Sequence, residues 1–381
     1  MTPKERVDAV FAGRPPDKVP LCHMSFSSRI ASVILGREAY VGGGINRWRE
    51  AAARWNGPQA HAEFIDRTVR DAIDIALATD LDLVRPYHWR EPRKPSERID
   101  EYTFRYERSD GTWEVKQLDP QTELYNVVDS SPRPEPTLDD LGREVDRAEE
   151  AADAYVPAAE DFPEIVFALR EVGDTHAIRC IGPWTSIPVD SAAWMEATLL
   201  RPDLVGRLLD THAVRSLKNI ELLSRYGGEL FFGGGDMASD RGPMYSPRVF
   251  RELVTPRLQR ISDFCHERGV RHLFGTDGNV WPVAADLYGA SGVDGHYEVD
   301  RRAGMDILRI HERYPHITML GNISSFTLHT GTPADVREET RACLEEAKAT
   351  NKVVAGCSNI IISETPMANV DAMLETLAEH R

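Results

Sequence analysis

Eight short apolar or β-branched runs recur along the 381 residues, and they constrain the fold more than any other feature. They span 19–24, 81–86, 176–182, 229–234, 270–275, 292–297, 316–321 and 352–357. Each closes in a polar or glycine-rich loop, and most are followed by a stretch with helical periodicity. Helices are predicted at 202–225, 247–268, 282–290, 304–314, 333–349 and 366–380. Several carry a proline in the first turn, where its missing N–H costs nothing. Strands alternating with helices eight times predict an α/β fold, a closed parallel (β/α)8 TIM barrel, over an open doubly wound sheet. No Gly-x-Gly-x-x-Gly follows any run, and Gly42-Gly43-Gly44 and Gly233-Gly234-Gly235 have the wrong spacing for a dinucleotide loop. One barrel domain over 1–381 suits the length and the 41% hydrophobic content.

One region breaks the alternation. Between about 91 and 163, segments 102–108 and 113–119 flank the turn Ser109-Asp110-Gly111-Thr112, a β-hairpin pattern. A proline-rich linker at 131–136 and an acidic helical stretch, read as a solvated face, follow. This is expected to be an insertion after the second strand that covers the barrel mouth.

Charge and cysteine usage narrow the function classes. Lys+Arg number 45 against 61 Asp+Glu, a net charge of -16 that repels phosphate backbones and anionic lipid, so neither nucleic acid nor membrane is an expected partner. The cysteines at 22, 180, 265, 343 and 357 are odd in number and form no CxxC pair. With no apolar leader at Met1-Thr2-Pro3-Lys4-Glu5-Arg6 and no long apolar span, the expected location is cytoplasmic.

In such a barrel the active site forms at the carboxyl ends of the strands. The residues there are Cys22-His23-Met24-Ser25, Arg85-Pro86-Tyr87-His88-Trp89, Gly182-Pro183-Trp184-Thr185 and Asp236-Met237-Ala238-Ser239-Asp240. The later ends are Thr276-Asp277-Gly278-Asn279, His296-Tyr297-Glu298, Asn322 and Cys357-Ser358-Asn359. Carboxylates, imidazoles, indoles and a thiol around one pocket suit a small polar or aromatic substrate.

Several motifs resemble one superfamily. Gly235-Asp236-Met237 and the stretch Arg241-Gly242-Pro243-Met244-Tyr245-Ser246-Pro247 to Thr255-Pro256-Arg257-Leu258 resemble the central block of the uroporphyrinogen decarboxylase superfamily. Gly275-Thr276-Asp277-Gly278-Asn279 is similar to its His-Thr-Asp-Gly-Asn or His-Ser-Cys-Gly-Asn motif. Gly292-Val293-Asp294-Gly295, Leu320-Gly321-Asn322-Ile323 and Asp17-Lys18-Val19-Pro20 add to the match, which is weakest at 90–170. The resemblance implies a (β/α)8 barrel, a homodimer as the default state, and two chemistries. One is cofactor-independent decarboxylation; the other is zinc-assisted methyl transfer between a small donor, a corrinoid protein and a thiol.

Both of the superfamily's signatures are altered. Decarboxylation of a many-carboxylate substrate needs guanidinium forks, which the family supplies from Arg-Gln-Ala-Gly-Arg after the first strand. Here that position reads His23-Met24-Ser25-Phe26-Ser27-Ser28-Arg29, with one arginine. Asp80 or Asp82 stands near the place of the decarboxylase aspartate. The family's zinc members use His-x-Cys after the fifth strand and a Cys after the eighth, where this chain has Gly275, Asp277 and Cys357. Asp277 and Cys357 are therefore the tentative Zn2+ ligands, with His296 or Asp236 completing a harder site. In the metal-free alternative Asp277 is a general acid.

The leading expectation is a methyltransferase. Asp236, Asp277 and His296 polarise a small, potentially aromatic methyl donor, and cobalamin on a partner protein accepts the methyl group. His23, Arg29, Arg85, Tyr87, His88, Trp184, Asn279, Tyr297 and Asn322 are the expected substrate-binding residues. Second is a decarboxylase of a smaller acid, its carboxylate held by Arg29 and Arg85; third is a barrel that binds a small molecule without turnover. Each residue also has a plainer role. Asp277 and Asn279 are ordinary N-caps, free cysteines are commonly small buried groups, and strand-end histidines often serve as hydrogen-bonded rim residues.

Overall fold

The computed structural model describes residues 1–132 and 134–381; Arg133, in the linker predicted at 131–136, lies outside the described residues. Seven of the eight runs hydrogen-bond in chain order as one parallel sheet: Leu83–Val84, Ala177–Trp184, Leu230–Gly234, Arg271–Gly275, Gly295–Tyr297, Thr318–Leu320 and Val353–Val354. The first run forms no strand of that sheet but joins its two edges. Cys22 N–H donates to Ala355 O (2.9 Å), Ala355 N–H to Pro20 O (2.8 Å), and Asp82 N–H to Leu21 O (2.9 Å). The chain is thus a closed α/β barrel of the (β/α)8 kind.

Inward-facing side chains fill the barrel. Leu83, Ala177, Leu230, Phe232, Leu273, Leu320 and Val354 pack together, and Val7 and Val10 of the helix Pro3–Phe11 plug the amino-terminal end. That helix is anchored by a Thr2/Glu5 capping box. Beneath it Asp82 is buried, accepting from Leu21 N–H (2.8 Å), Arg6 Nη1 (2.9 Å) and Arg381 Nη1 (3.0 Å). The second, larger core lies between strands and surrounding helices. With one end closed by apolar packing and ion pairs, the carboxyl end remains as the mouth.

The helices follow the predicted periodicity, with one informative distortion. The predicted helix 247–268 runs as Pro247–Val249, a π-helical segment Phe250–Val254, and Thr255–His266. Pro256 explains it: proline lacks the N–H for an i−4 bond and its ring clashes with the preceding turn, so the helix widens there.

Residues 97–130 form a four-stranded antiparallel sheet, Glu97–Arg98, Thr103–Glu107, Trp113–Asp119 and Leu124–Ser130. The predicted hairpin is its central pair, with outer strands the sequence reading had not counted. The sheet has its own core of Phe104, Tyr106, Leu118 and Tyr125 against Ala51 of the helix Gly44–Asn56. Its turn meets the barrel loops: the Glu123 carboxylate accepts from Ser28 N–H (2.8 Å) and Arg29 N–H (2.7 Å), and Ser363 Oγ donates to Gln121 O (2.9 Å).

Candidate active site

Strand alternation decides which side chains reach the barrel interior. Leu83 pairs with Ala177 and Val84 with Ile178, so Arg85 and Arg179 follow on neighbouring strands at the same level. Arg179 is buried, with its guanidinium 4.6 Å from the ring centre of Phe232 and 4.7 Å from that of Tyr297. Both arginines converge on Met24: Arg179 Nη1 lies 3.0 Å from its sulfur, and Arg85 Nη1 donates to its carbonyl (2.9 Å). Arg85 Nε also donates to Tyr87 O (3.1 Å). Burial lowers the Arg85 pKa to about 10, with Arg179 adding repulsion.

Glu298 completes this group. It follows Gly295–Tyr297 with φ of 66°, a left-handed conformation costly for a side-chain-bearing residue. Burial pushes its carboxyl up to about 8; Asp277 and Asp236 push the same way, against Arg179 and Arg85. It therefore carries its proton at neutral pH. Asp277, partly buried, accepts from Asn359 Nδ2 (2.9 Å), and burial raises its pKa to about 6 despite that bond. Two carboxyls with differently raised pKa values thus lie within electrostatic reach of each other, and Glu298 within reach of the two arginines. Cys22, Met24, Arg179, Tyr297, Glu298 and Cys357 border a small cavity of about 10 Å³.

The expected residues fall into distinct settings. Tyr297 points inward, its hydroxyl donating to Gly233 O (2.5 Å). His88 is buried beside the two arginines with neither ring nitrogen partnered, and burial lowers its pKa to about 3. His23 Nδ1 accepts from Cys357 N–H (3.0 Å), leaving Nε2 buried and unpartnered. Asn322 Oδ1 accepts from Arg301 (3.1 Å) while its Nδ2 is free of partners. Asp236 and Trp184 stand exposed at strand ends.

Three others are placed elsewhere. His296 alternates with Tyr297 and so faces outward, its Nδ1 2.7 Å from the Tyr288 hydroxyl and its Nε2 3.2 Å from Thr276 O. Arg29 is exposed and reaches Pro120 O (3.3 Å) of the antiparallel sheet. Asn279 Oδ1 accepts from Trp281 N–H (3.0 Å), a local turn role. Asp82 serves the closed end of the barrel, as described above. The sequence places Glu298 and Asn359 at strand ends without assigning them a role, and Arg179 is not among the expected residues. The period-2 rule would have flagged Arg179, since it shares a face with inward Ala177.

The donor set does not fit a zinc centre of the family's kind. A Cβ on Gly275 would fall inside the Tyr297 ring, so a phenol fills the space of the family's imidazole. The Cys357 thiol is buried, and that burial pushes its pKa up to about 12. Among the described residues no three His, Cys, Asp or Glu side chains are grouped to hold a metal ion.

A wider cleft, lined in part by Arg54, His61, Arg90 and Phe167, lies outside the barrel along the helix Pro58–Ala78. Its cationic groups already have partners: Arg54, His61 and Arg90 meet Glu50, and Arg90 also meets Glu164. The barrel interior, by contrast, holds unpartnered buried polar atoms on His23, His88, Arg179 and Asn322.

Comparison with known proteins agrees with this architecture. A structure described as "methyltransferase from Methanosarcina mazei" superposes with a TM-score of 0.67 at 20% identity, covering 100% of this chain and 99% of that one. A chitinase from Chromobacterium violaceum matches 59% of this chain and 86% of its own at 10% identity and a TM-score of 0.33, too distant to bear on the argument. No curated protein sequence matches. The family model described as Uroporphyrinogen decarboxylase (URO-D) matches residues 176–380, the part that supplies Arg179, Asp277 and Glu298. On that match over more than half its length, joined to the closed barrel, the chain belongs to the uroporphyrinogen decarboxylase family.

Proposed function

We propose that this barrel is an enzyme that removes a methyl group from a small donor, with Glu298 as the general acid. The observation that carries the reading is the Glu298 carboxyl at the carboxyl end of its strand, bordering the same cavity as Arg179, where burial raises its pKa to about 8. When a methyl group passes from a donor oxygen to a nucleophilic acceptor, the donor oxygen keeps the bonding electrons and needs a proton. Glu298, with its pKa of about 8, is matched to deliver it. Asp277, ionised above about pH 6, keeps a negative charge close by that holds the Glu298 proton until transfer.

The acceptor is external to the chain: a corrinoid carried by a partner protein, or a thiol. The full-length structural match to a protein described as a methyltransferase supports this choice over decarboxylation, as does the placement of Arg29 away from the barrel interior. The test supplies cob(I)alamin or a simple alkyl thiol with a panel of methoxybenzoates and follows the demethylated phenol by chromatography. The expected result is phenol release slowed about 10²-fold or more in Glu298→Gln, the ordinary value of a general acid. Equal rates in that variant, or carbon dioxide release without phenol, would overturn the reading.

A further inference from the structure

The other strongly buried arginines of the described chain have carboxylate partners. Arg49 meets Glu38 at 3.0 Å, and Arg381 meets Asp80 and Asp82, each at 3.0 Å. Arg179 has none within salt-bridge distance, nor has the partly buried Arg85 beside it. Their contacts are a thioether, two carbonyl oxygens, the Tyr87 side chain and aromatic faces, with Glu298 nearby, and Arg179 Nε has no partner at all. Two adjacent guanidiniums withdrawn from water without an anion are a costly arrangement. Ring faces offset less of that cost than a carboxylate would.

The geometry points to an anion subsite inside the barrel, in which Arg85 and Arg179, with His88 beside them, grip a single carboxylate of the substrate. Arginine's planar fork suits a carboxylate held by two parallel hydrogen bonds. The rings of Phe232 and Tyr297 flank the Arg179 guanidinium and offer apolar walls to the carbon attached to that carboxylate. A dianionic phosphate fits less well, because the Asp277 carboxylate would face its second charge.

The opposite end of the substrate meets different surroundings. Asp236 and Asp300 lie close enough to Asp277 that the charge of each raises its pKa. A second carboxylate on the substrate would be repelled there. The donor class is therefore a monocarboxylic acid whose methylated end is neutral or cationic. This inference rests on the proposed function for the identity of the donor, but the subsite itself is testable without turnover.

The probes are benzoate, benzamide, isophthalate and inorganic phosphate, titrated calorimetrically into the full chain. Benzoate is expected to bind at least tenfold more tightly than benzamide, isophthalate or phosphate. Arg179→Gln and Arg85→Gln are each expected to weaken benzoate at least tenfold, with Arg179→Lys falling between. Circular dichroism identifies any variant that fails to fold, in which case the wild-type ranking of the four probes decides alone. Benzoate and benzamide binding alike, phosphate binding more tightly than benzoate, or unchanged benzoate affinity in folded Arg179→Gln would each overturn the subsite. Tight, arginine-dependent benzoate binding with no demethylation would remove the proposed function and leave the subsite. Equal demethylation of anisole and methoxybenzoate would do the reverse.

Discussion

The ring of Tyr297 occupies the space that any side chain on Gly275 would need, and its hydroxyl is fixed by donation to Gly233 O. The two residues pair in register on adjacent strands, so the glycine and the phenol are a matched set. Gly275→Ala should force the ring aside and cost about 1–3 kcal/mol, as overpacking does. Denaturant unfolding would show it. The change should be largely rescued by Tyr297→Ala in the same chain, whereas additive losses in the double variant would contradict the packing relationship.

Glu298 makes stability depend on pH in a definite direction. Its ordinary pKa of 4.5 rises to about 8 in the folded chain, which therefore keeps a proton that the unfolded chain releases. Stability is greatest below about pH 4.5 for this group and is lost as pH rises toward 8. Glu298→Gln has no proton to lose. The variant should gain stability relative to the native chain on going from pH 5 to pH 8, by about 1 kcal/mol or more, the worth of a pKa unit. Chemical unfolding at the two pH values measures the difference.

Asp82 and the arginines at the closed end predict a structural phenotype without a catalytic one. Its carboxylate serves Arg6, Arg381 and a backbone N–H while buried. Asp82→Ala strands those charges and should cost about 3–5 kcal/mol. Ligand affinity per folded molecule should be unchanged, which calorimetry with benzoate at low temperature would verify.

Glu123 ties the antiparallel sheet to the barrel. Its carboxylate satisfies the N–H groups of Ser28 and Arg29 at the start of the helix Ser28–Leu35, donors that helical bonding leaves free. Glu123→Ala should cost about 1–3 kcal/mol, the penalty for buried groups left unpaired. Amide hydrogen exchange would register faster exchange at Ser28 and across 97–130, with the barrel strands unaffected.

The alternation of apolar runs and helices was enough to read the barrel, because each strand writes its own short pattern and each helix its own period. Pro202–Arg225 begins and ends where its Pro202 and its apolar spacing place it. The first run was harder, since 19–24 acts through single bonds at Leu21 and Cys22 without forming a strand of the main sheet. The site was less legible. Asp277 stands out from its motif, but its neighbour Asn359 is brought to it only by closure of the ring. His296 looked catalytic as a strand-end imidazole, and only the inward turn of Tyr297 shows that it faces the helices. Glu298 reads as an ordinary loop acid. Its raised pKa comes from burial, with Asp277 and Asp236 adding to it against Arg179 and Arg85, and the sequence scatters these four over four other loops and strands.

The account rests on a carboxyl group that stays protonated in the barrel mouth at neutral pH, and this can be measured without knowing the substrate. Carbon-13 labelling of the glutamate carboxyls and NMR titration of the native chain and Glu298→Gln would assign its resonance by difference. The account predicts one carboxyl with a midpoint near 8 that is absent from the variant. A Glu298 resonance titrating with an ordinary glutamate midpoint near 4.5 would contradict it.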